Sequence, residues 1–401
     1  MKTNLLPSLL SLLGCLALPA TSGLAQGQIA PTSDLNHSLK LEIGRAIENG
    51  IEFLESKQDP ETGSWSDAEL PAISGLAIAS IAGDPSLTAE TGLPDSAKKG
   101  YEYLLNSIQP DGGIYVKGLS TYNTAIAMMA LLLSGEESHL PIIAKARQYL
   151  VSKQQDFGVK GELDHPFDGG IGYGDGSEAA NMSTTKFTLG ALYHSKQVLA
   201  DTEFAVDKES DLDWDAAIAF LSRCQNSEDT VKKSDGKLAL REEDKGGFVY
   251  FPGSTKSDTF ELETADGGKA IALRSYGSIS YAGMLSFIYA DMDLEDPRIQ
   301  SVLKWLQSNF TLEENPGMGA EGHYYYYHTM AKALSTAGIQ DLKKPDGNKI
   351  DWKKELALEL MGRQQQDGSW INEGSNRWME GDPILVTSYT LQALQQIYRL
   401  L

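Results

Sequence analysis

Three residues of the 401-residue chain stand where a side chain could move a proton: Asp266 in Thr264-Ala265-Asp266-Gly267-Gly268, Asp382 in Glu380-Gly381-Asp382-Pro383, and His323 at the head of His323-Tyr324-Tyr325-Tyr326-Tyr327-His328. A carboxyl group at the entry to a helix can serve as a general acid when it faces a dry cavity. The same positions also suit N-caps and turns. His323 and His328, five residues apart, point about 140° from each other around a helix, so they cannot share one face. His323, Tyr324 and Tyr327 are the residues expected on the inner side. With Tyr276, Tyr281 and Tyr389 they would wall a cavity able to take an apolar small molecule.

Other candidate chemistry reads as structural. The loop Asp164 to Asp175 is acidic and rich in glycine, but it lacks the regular ligand spacing of an EF-hand. Its Gly-x-Gly pattern follows no strand and makes no dinucleotide site. No metal-ligand set is found, and no cofactor is expected. Cys224 ends a helical pattern with no histidine or basic cluster near it in sequence, so it reads as a packed thiol.

These residues must be held by regular elements, and the sequence repeats itself to supply them. Each unit has an amphipathic helix, a Gln, a glycine-rich loop with an aromatic, and a second, more apolar helix. The pattern runs through Lys57-Gln58 to Gly63-Ser64-Trp65, then Ile108-Gln109 to Gly112-Gly113-Ile114-Tyr115. It continues in Lys153-Gln154 to Gly169-Gly170-Ile171-Gly172-Tyr173, and in Cys224-Gln225 to Gly246-Gly247-Phe248-Val249-Tyr250. A degenerate copy has Asn309 in the Gln position and Gly317-Met318-Gly319, and the last runs from Gln364 to Gly368-Ser369-Trp370. The first helix of a unit has one wet face; the second, as in Ile73 to Ala79 or Ala125 to Leu133, has none and must be buried on both sides. The expectation is an all-α fold, a single (α/α)6 toroid of six helical hairpins with the second helices inside. The glutamines should satisfy backbone groups of the neighbouring unit, and the aromatics should clamp adjacent hairpins.

The glycine excess, 39 of 401 residues against an average near 7%, belongs to these loops. The balance of 34 basic against 55 acidic residues, a formal charge of −21, opposes binding to nucleic acid or an anionic membrane surface. Residues 1–25 read as a signal peptide: Lys2, an apolar run from Leu5 to Leu18, and Gly23 and Ala25 before the cleavage point. Residues 26–401 would then form one domain, secreted or periplasmic. Leu12-Leu13-Gly14-Cys15 also resembles a lipoprotein box, the alternative of an anchor at Cys15. The apolar run is too short to span a bilayer, and no later stretch does so.

The unit Gly-x-x-aromatic-Leu, then Gln, then Gly-Ser-Trp, resembles the repeat of squalene cyclases and protein prenyltransferase β-subunits over essentially all of residues 26–401. The resemblance implies a terpenoid cyclase/prenyltransferase-like α/α toroid. It does not carry that family's chemistry with it, because fold alone does not set function. The Asp-x-Asp-Asp acid of hopene-forming cyclases is absent, and the nearest strings, Asp211 to Asp215 and Asp291 to Asp296, read as caps and surface charge. Tyr327-His328-Thr329 looks like the surroundings of the prenyltransferase zinc histidine, but no Asp-x-Cys pair accompanies it.

Three functions follow as expectations. The first is a cyclase-like exported protein whose cavity holds an isoprenoid or another apolar ligand; as an enzyme it would be a terpene cyclase-like isomerase or transferase. The second is a glycan-active toroid, which would need paired carboxylates in the lumen. The third is a non-catalytic toroid that binds a protein partner.

Overall fold

In the computed structural model the described residues are 32–174, 179–264 and 267–401. The leader, Cys15, Asp175 and Asp266 lie outside them. The helices are α1 Thr32–Ser56, α2 Pro71–Ala82, α3 Asp95–Asn106, α4 Ser120–Leu133, α5 Leu140–Val151, α6 Met182–Leu199 and α7 Trp214–Arg223. They continue as the short α8 Glu228–Lys232, then α9 Gly277–Tyr289, α10 Pro297–Ser308, α11 His323–Thr336, α12 Trp352–Gly362 and α13 Pro383–Leu400.

Burial follows the polarity of each helix. In α3 the buried positions are Ala97, Gly100, Tyr101, Tyr103 and Leu104, one stripe with solvent on the other side. In α2 every residue from Pro71 to Ile78 is buried. Aspartates and an asparagine set several helix starts by accepting from the first-turn amides: Asn181 for α6, Asp213 for α7, Asp296 for α10, Asp351 for α12 and Asp382 for α13. Asp211, expected as a cap or surface charge, is instead buried in an ion pair with Arg147, and its second oxygen meets Lys196 at 2.8 Å.

The apolar helices pack on one another in a closed circuit, α2 on α4, α4 on α6, α6 on α9, α9 on α11, α11 on α13, and α13 back on α2. The amphipathic helices lie outside them, with α1 for example against α2, α12 and α13. The expectation of a purely helical chain needs amending. Between α8 and α9 the chain forms a small sheet, β1 Leu238–Ala239 parallel to β3 Lys269–Leu273 and β2 Thr259–Glu263 antiparallel to β3. A two-strand ladder, β4 Leu342–Lys343 with β5 Lys349–Ile350, precedes α12.

The repeat residues do the joining. Gln58 Nε2 donates to the Gly63 carbonyl of its own loop at 2.9 Å and to Ser96 of α3 at 2.8 Å. Gln154 bridges Gly169 and Asp213, Gln225 bridges Gly246 and Arg298, and Gln364 bridges Gly368 and Ala46 of α1, which closes the circuit. Each loop glycine approaches the backbone of the next outer helix: at Gly63, with φ of +76°, a Cβ would stand 2.6 Å from the Lys99 carbonyl. Gly112, Gly169, Gly246 and Gly368 make the equivalent approach to Lys145, Ala216, Ser301 and Asn49. Trp65 and Trp370 donate Nε1 back to Leu54 and Leu360 at 2.7 Å, and their rings cover Gly100 and Gly50 of the neighbouring outer helix. Two units depart from this plan: Gln109 Nε2 donates to Tyr115 of its own loop at 2.7 Å, and in the degenerate copy Asn309 Nδ2 returns to Trp305 of its own helix.

Candidate functional site

The amino ends of the six inner helices surround a chamber of about 250 Å³. All six contribute, through Ile73, Tyr122, Ser183, Ile279, Tyr325 and Tyr389 among others. Loop residues complete it: Tyr173, Tyr250, Tyr276, Trp378 and Glu380. The phenols of Tyr173 and Tyr250 share a hydrogen bond of 2.8 Å, so the wall is aromatic with its polar tips partly satisfied.

Below it, toward the carboxyl ends of the same helices, lies a second chamber of about 80 Å³ lined by Leu76, Ile126, Met129, Phe187, Tyr289 and other apolar groups. Tyr122, Phe187, Tyr325 and Tyr389 separate the two. Phe187 meets Tyr122 edge-on at 5.3 Å and Tyr325 at 6.1 Å, and Tyr325 meets Tyr389 at 5.8 Å. The polar groups on the inner side are Lys186, His328, Lys332, Gln392 and Gln396. Lys186 Nζ lies 3.7 Å from the centroid of Phe187 and 5.2 Å from that of Tyr325. Burial, with Lys332 nearby, pushes its ammonium down to about 7.

Glu380 is the one carboxylate among the described residues lining either chamber. It is 1% exposed. Its Oε1 accepts from the Tyr325 amide at 2.8 Å; its Oε2 accepts from the Tyr324 amide at 3.3 Å and from Asn372 Nδ2 at 2.6 Å. It therefore caps α11 while presenting its edge to the tyrosine chamber. Burial raises its pKa, and the N–H donors oppose that rise without reversing it.

The expected site residues divide. Tyr276 and Tyr389 line the tyrosine chamber. Tyr281, Tyr324 and Tyr327 line neither. Tyr281 is buried against Tyr326, with ring centroids 5.7 Å apart, and Tyr327 Oη donates to Leu312 at 2.5 Å. His323 packs on Tyr327 at 4.4 Å with Nε2 by the Leu312 carbonyl, and burial holds its imidazole down to about 4. The face of α11 that meets the chambers carries Tyr325, His328 and Lys332, at three- and four-residue steps. The expectation for His323, Tyr324 and Tyr327 is thus rotated about the helix axis. The tyrosine run is apolar all round and offered no polar stripe to set the rotation. Asp382 caps α13 through the Ile384 amide at 2.8 Å and also accepts from Ser66, so its carboxylate is engaged at the rim. Asp266 falls outside the described residues. Cys224 is fully buried and its thiol is pushed up by burial. In the acidic loop, Asp164 and Asp168 accept backbone amides of Val159, Phe157 and His165. Among the described residues no group of three or more His, Cys, Asp or Glu could hold a metal ion.

Sequence reasoning passed over Glu380, Lys186, Tyr173, Tyr250, Tyr122 and Tyr325. A signal existed for two of them: Tyr173 and Tyr250 each stand three residues after a Gly-Gly pair, the same place in two copies of the repeat. Glu380 lies two residues before the aspartate that was considered instead.

No protein-family profile matches the chain, and no curated protein sequence does. Solved structures do match. The type II terpene cyclase MstE from Scytonema, without ligand, aligns with TM-score 0.51 at 12% identity, over 90% of this chain and 99% of that chain. A variant of it in complex with geranylgeranyl dihydroxybenzoate (substrate) aligns with TM-score 0.51 at 12% identity, over 91% of this chain and 100% of that chain. Another, in complex with merosterolic acid A (product), gives 0.52 at 11% identity, over 91% and 99%. At this identity the likeness is one of fold: a mostly helical, terpenoid cyclase-like α/α toroid. No helix among the described residues is long and apolar enough to cross a membrane.

Proposed function

We propose that this protein binds an isoprenoid, or a comparably apolar small molecule, in the lumen of a single (α/α)6 toroid of six helical hairpins. The observation that carries the reading is the two-chamber lumen, to which all six inner helices contribute and whose walls are mostly aromatic and aliphatic. Such a surface gains about 25 cal/mol for each Å² of apolar ligand it removes from water. Solved structures of the same fold, in complex with an isoprenoid substrate and product, support the assignment. The paired carboxylates that glycan hydrolysis needs are not found among the described lining residues, where Glu380 stands alone. Residues 1–25 would be removed on export, leaving a secreted or periplasmic chain of residues 26–401; amino-terminal sequencing of the mature protein tests this, including the alternative cleavage before Cys15.

A fluorescent farnesyl analogue should bind the purified protein saturably at one site and be displaced by unlabelled farnesol. Ser183→Trp, which fills the tyrosine chamber, should weaken binding at least about tenfold. Failure of any isoprenoid to bind saturably overturns the proposal.

A catalytic reading rests on Glu380, a buried carboxyl at the edge of an aromatic cavity with its pKa raised. That is the setting in which an acid can protonate an alkene and the surrounding rings can stabilise the cation that forms. Conversion of a geranylgeranyl compound to a cyclic product, abolished by Glu380→Gln, would establish it. An unchanged compound after prolonged incubation would leave a binding protein.

A further inference from the structure

Lys186 projects from the second turn of α6 into an apolar lumen. It is 4% exposed, and among the described residues it has no hydrogen bond and no ion pair, only the rings of Phe187 and Tyr325. A buried ammonium without an anion is costly and is seldom tolerated without a purpose. The chamber into which it points offers no compensation. Its other charged residue is Lys332, on α11, and its described lining contains no Asp or Glu. His328, one turn before Lys332, leaves Nδ1 without a partner, and His194, edge-on to Tyr289 at 5.6 Å, leaves both ring nitrogens so. The inner end of the lumen is thus a dry site of cationic and donor-capable groups from two facing helices. The tyrosine chamber beside it can bury an apolar tail.

We infer that the lumen takes an anionic amphiphile, an isoprenoid or similar chain ending in a carboxylate, with the carboxylate head against Lys186 in the inner chamber and the tail across the tyrosine chamber. The inference rests on the proposed ligand-binding function and narrows it. An ammonium–carboxylate contact of this kind is charge-assisted and short, and it strengthens as the surroundings dry. Head-first entry requires the rings of Phe187 and Tyr325, now resting on Nζ, to part as the carboxylate replaces them.

Affinities of the full mature chain for farnesoic acid, methyl farnesoate and farnesol test the inference, with dodecanoic acid and dodecanol as a straight-chain pair. Each acid should bind at least about tenfold more tightly than its neutral counterpart, a difference of about 1.4 kcal/mol. Lys186→Met should reduce that ratio to near one. If the neutral compounds bind as tightly as the acids, or if Lys186→Met keeps the preference, the anionic head is refuted while isoprenoid binding stands. If dodecanoic acid shows the preference and no farnesyl compound binds, the head is upheld and the isoprenoid is refuted. If nothing binds, both fail. Should Lys186→Met not fold, the acid-to-ester ratio on the unaltered protein decides.

Discussion

At the joints between units, Gln58, Gln154, Gln225 and Gln364 direct their side-chain donors to carbonyls on both sides of the seam. In the inner chamber, Lys186 meets only rings and His328 leaves Nδ1 unpartnered, while His194, packed on Tyr289 of the chamber wall, leaves both ring nitrogens so. Of these glutamines only Gln225 is fully buried and the other three are half-buried, so solvent reaches the joints where it does not reach Lys186. The joints repeat around the circuit because closing a ring poses the same packing problem at each seam. The lumen does not repeat, because a ligand is asymmetric and each inner helix meets a different part of it. Repetition with satisfied groups marks what holds the molecule together. Departure from repetition with unsatisfied groups marks where something else is meant to sit.

The contrast can be tested first at its strong end. Trp370→Ala removes the ring that covers Gly50 and the donor to Leu360. It should cost about 3–5 kcal/mol in urea denaturation while leaving no cavity in the lumen. If it costs as little as a surface change, the seam is not what closes the ring.

The lumen should answer to pH where the joints do not. Lys186 is held at about 7 in the folded chain, against an ordinary lysine value near 10.4. Between those values the unfolded chain binds more protons, so stability rises with pH through that window. Comparing wild type with Lys186→Met at pH 7 and pH 9, the wild type should gain an extra amount on the order of 2 kcal/mol. The facing groups are Lys332 and His328 from α11, Tyr325 beside them, and His194 from α6 itself. The histidines stay neutral throughout this range, His194 being held at about 3 by burial and Lys332, so they add nothing to the difference between the two proteins. Equal slopes for the two proteins would remove the premise of an uncompensated ammonium.

Smaller effects separate collision from conformation at a seam. Gly63→Ala forces a Cβ to 2.6 Å from the Lys99 carbonyl as well as straining φ of +76°, and should cost about 2–3 kcal/mol. Gly92→Ala, at φ of +66° with nothing within 4 Å, should cost only about 1 kcal/mol. Gln364→Ala should cost about 1 kcal/mol because it removes the donor that the Ala46 and Gly368 carbonyls share across the seam. Asn309→Ala should cost less, since its bond stays within its own helix. Thermal unfolding of the four variants side by side measures the order.

The same division explains what could be read from the sequence. The seams were legible because Gln, Gly and Trp recur at a fixed spacing, and the inner helices because they lack a polar face. That lack is also why the lumen was not legible. With no stripe to fix rotation, the sequence pointed to His323 as the inward group, and the structure turns His328 inward instead. Lys186 is a lone cation in Thr184-Thr185-Lys186-Phe187, a pattern indistinguishable from a surface lysine until five other helices surround it. The small sheet after α8 breaks the repeat, and periodicity gives no warning of it. Glu380 was hidden by Asp382, whose place directly before a proline and a helix matches a known cap pattern, whereas Glu380 caps a helix start far earlier in the chain.

The bond from Gln364 to Ala46 spans 318 positions, and that span sets an order of events in synthesis. Helix α1, the first described element to emerge, needs α12 and α13 as neighbours. At 5–20 residues per second, the roughly 300 residues between the end of α2 and the start of α13 take about 15–60 s to make. For that interval the flanks of α1 and α2 that pack on α13 have no partner. The first hairpin made is the last to be completed, and the nascent chain must be shielded until its two ends meet.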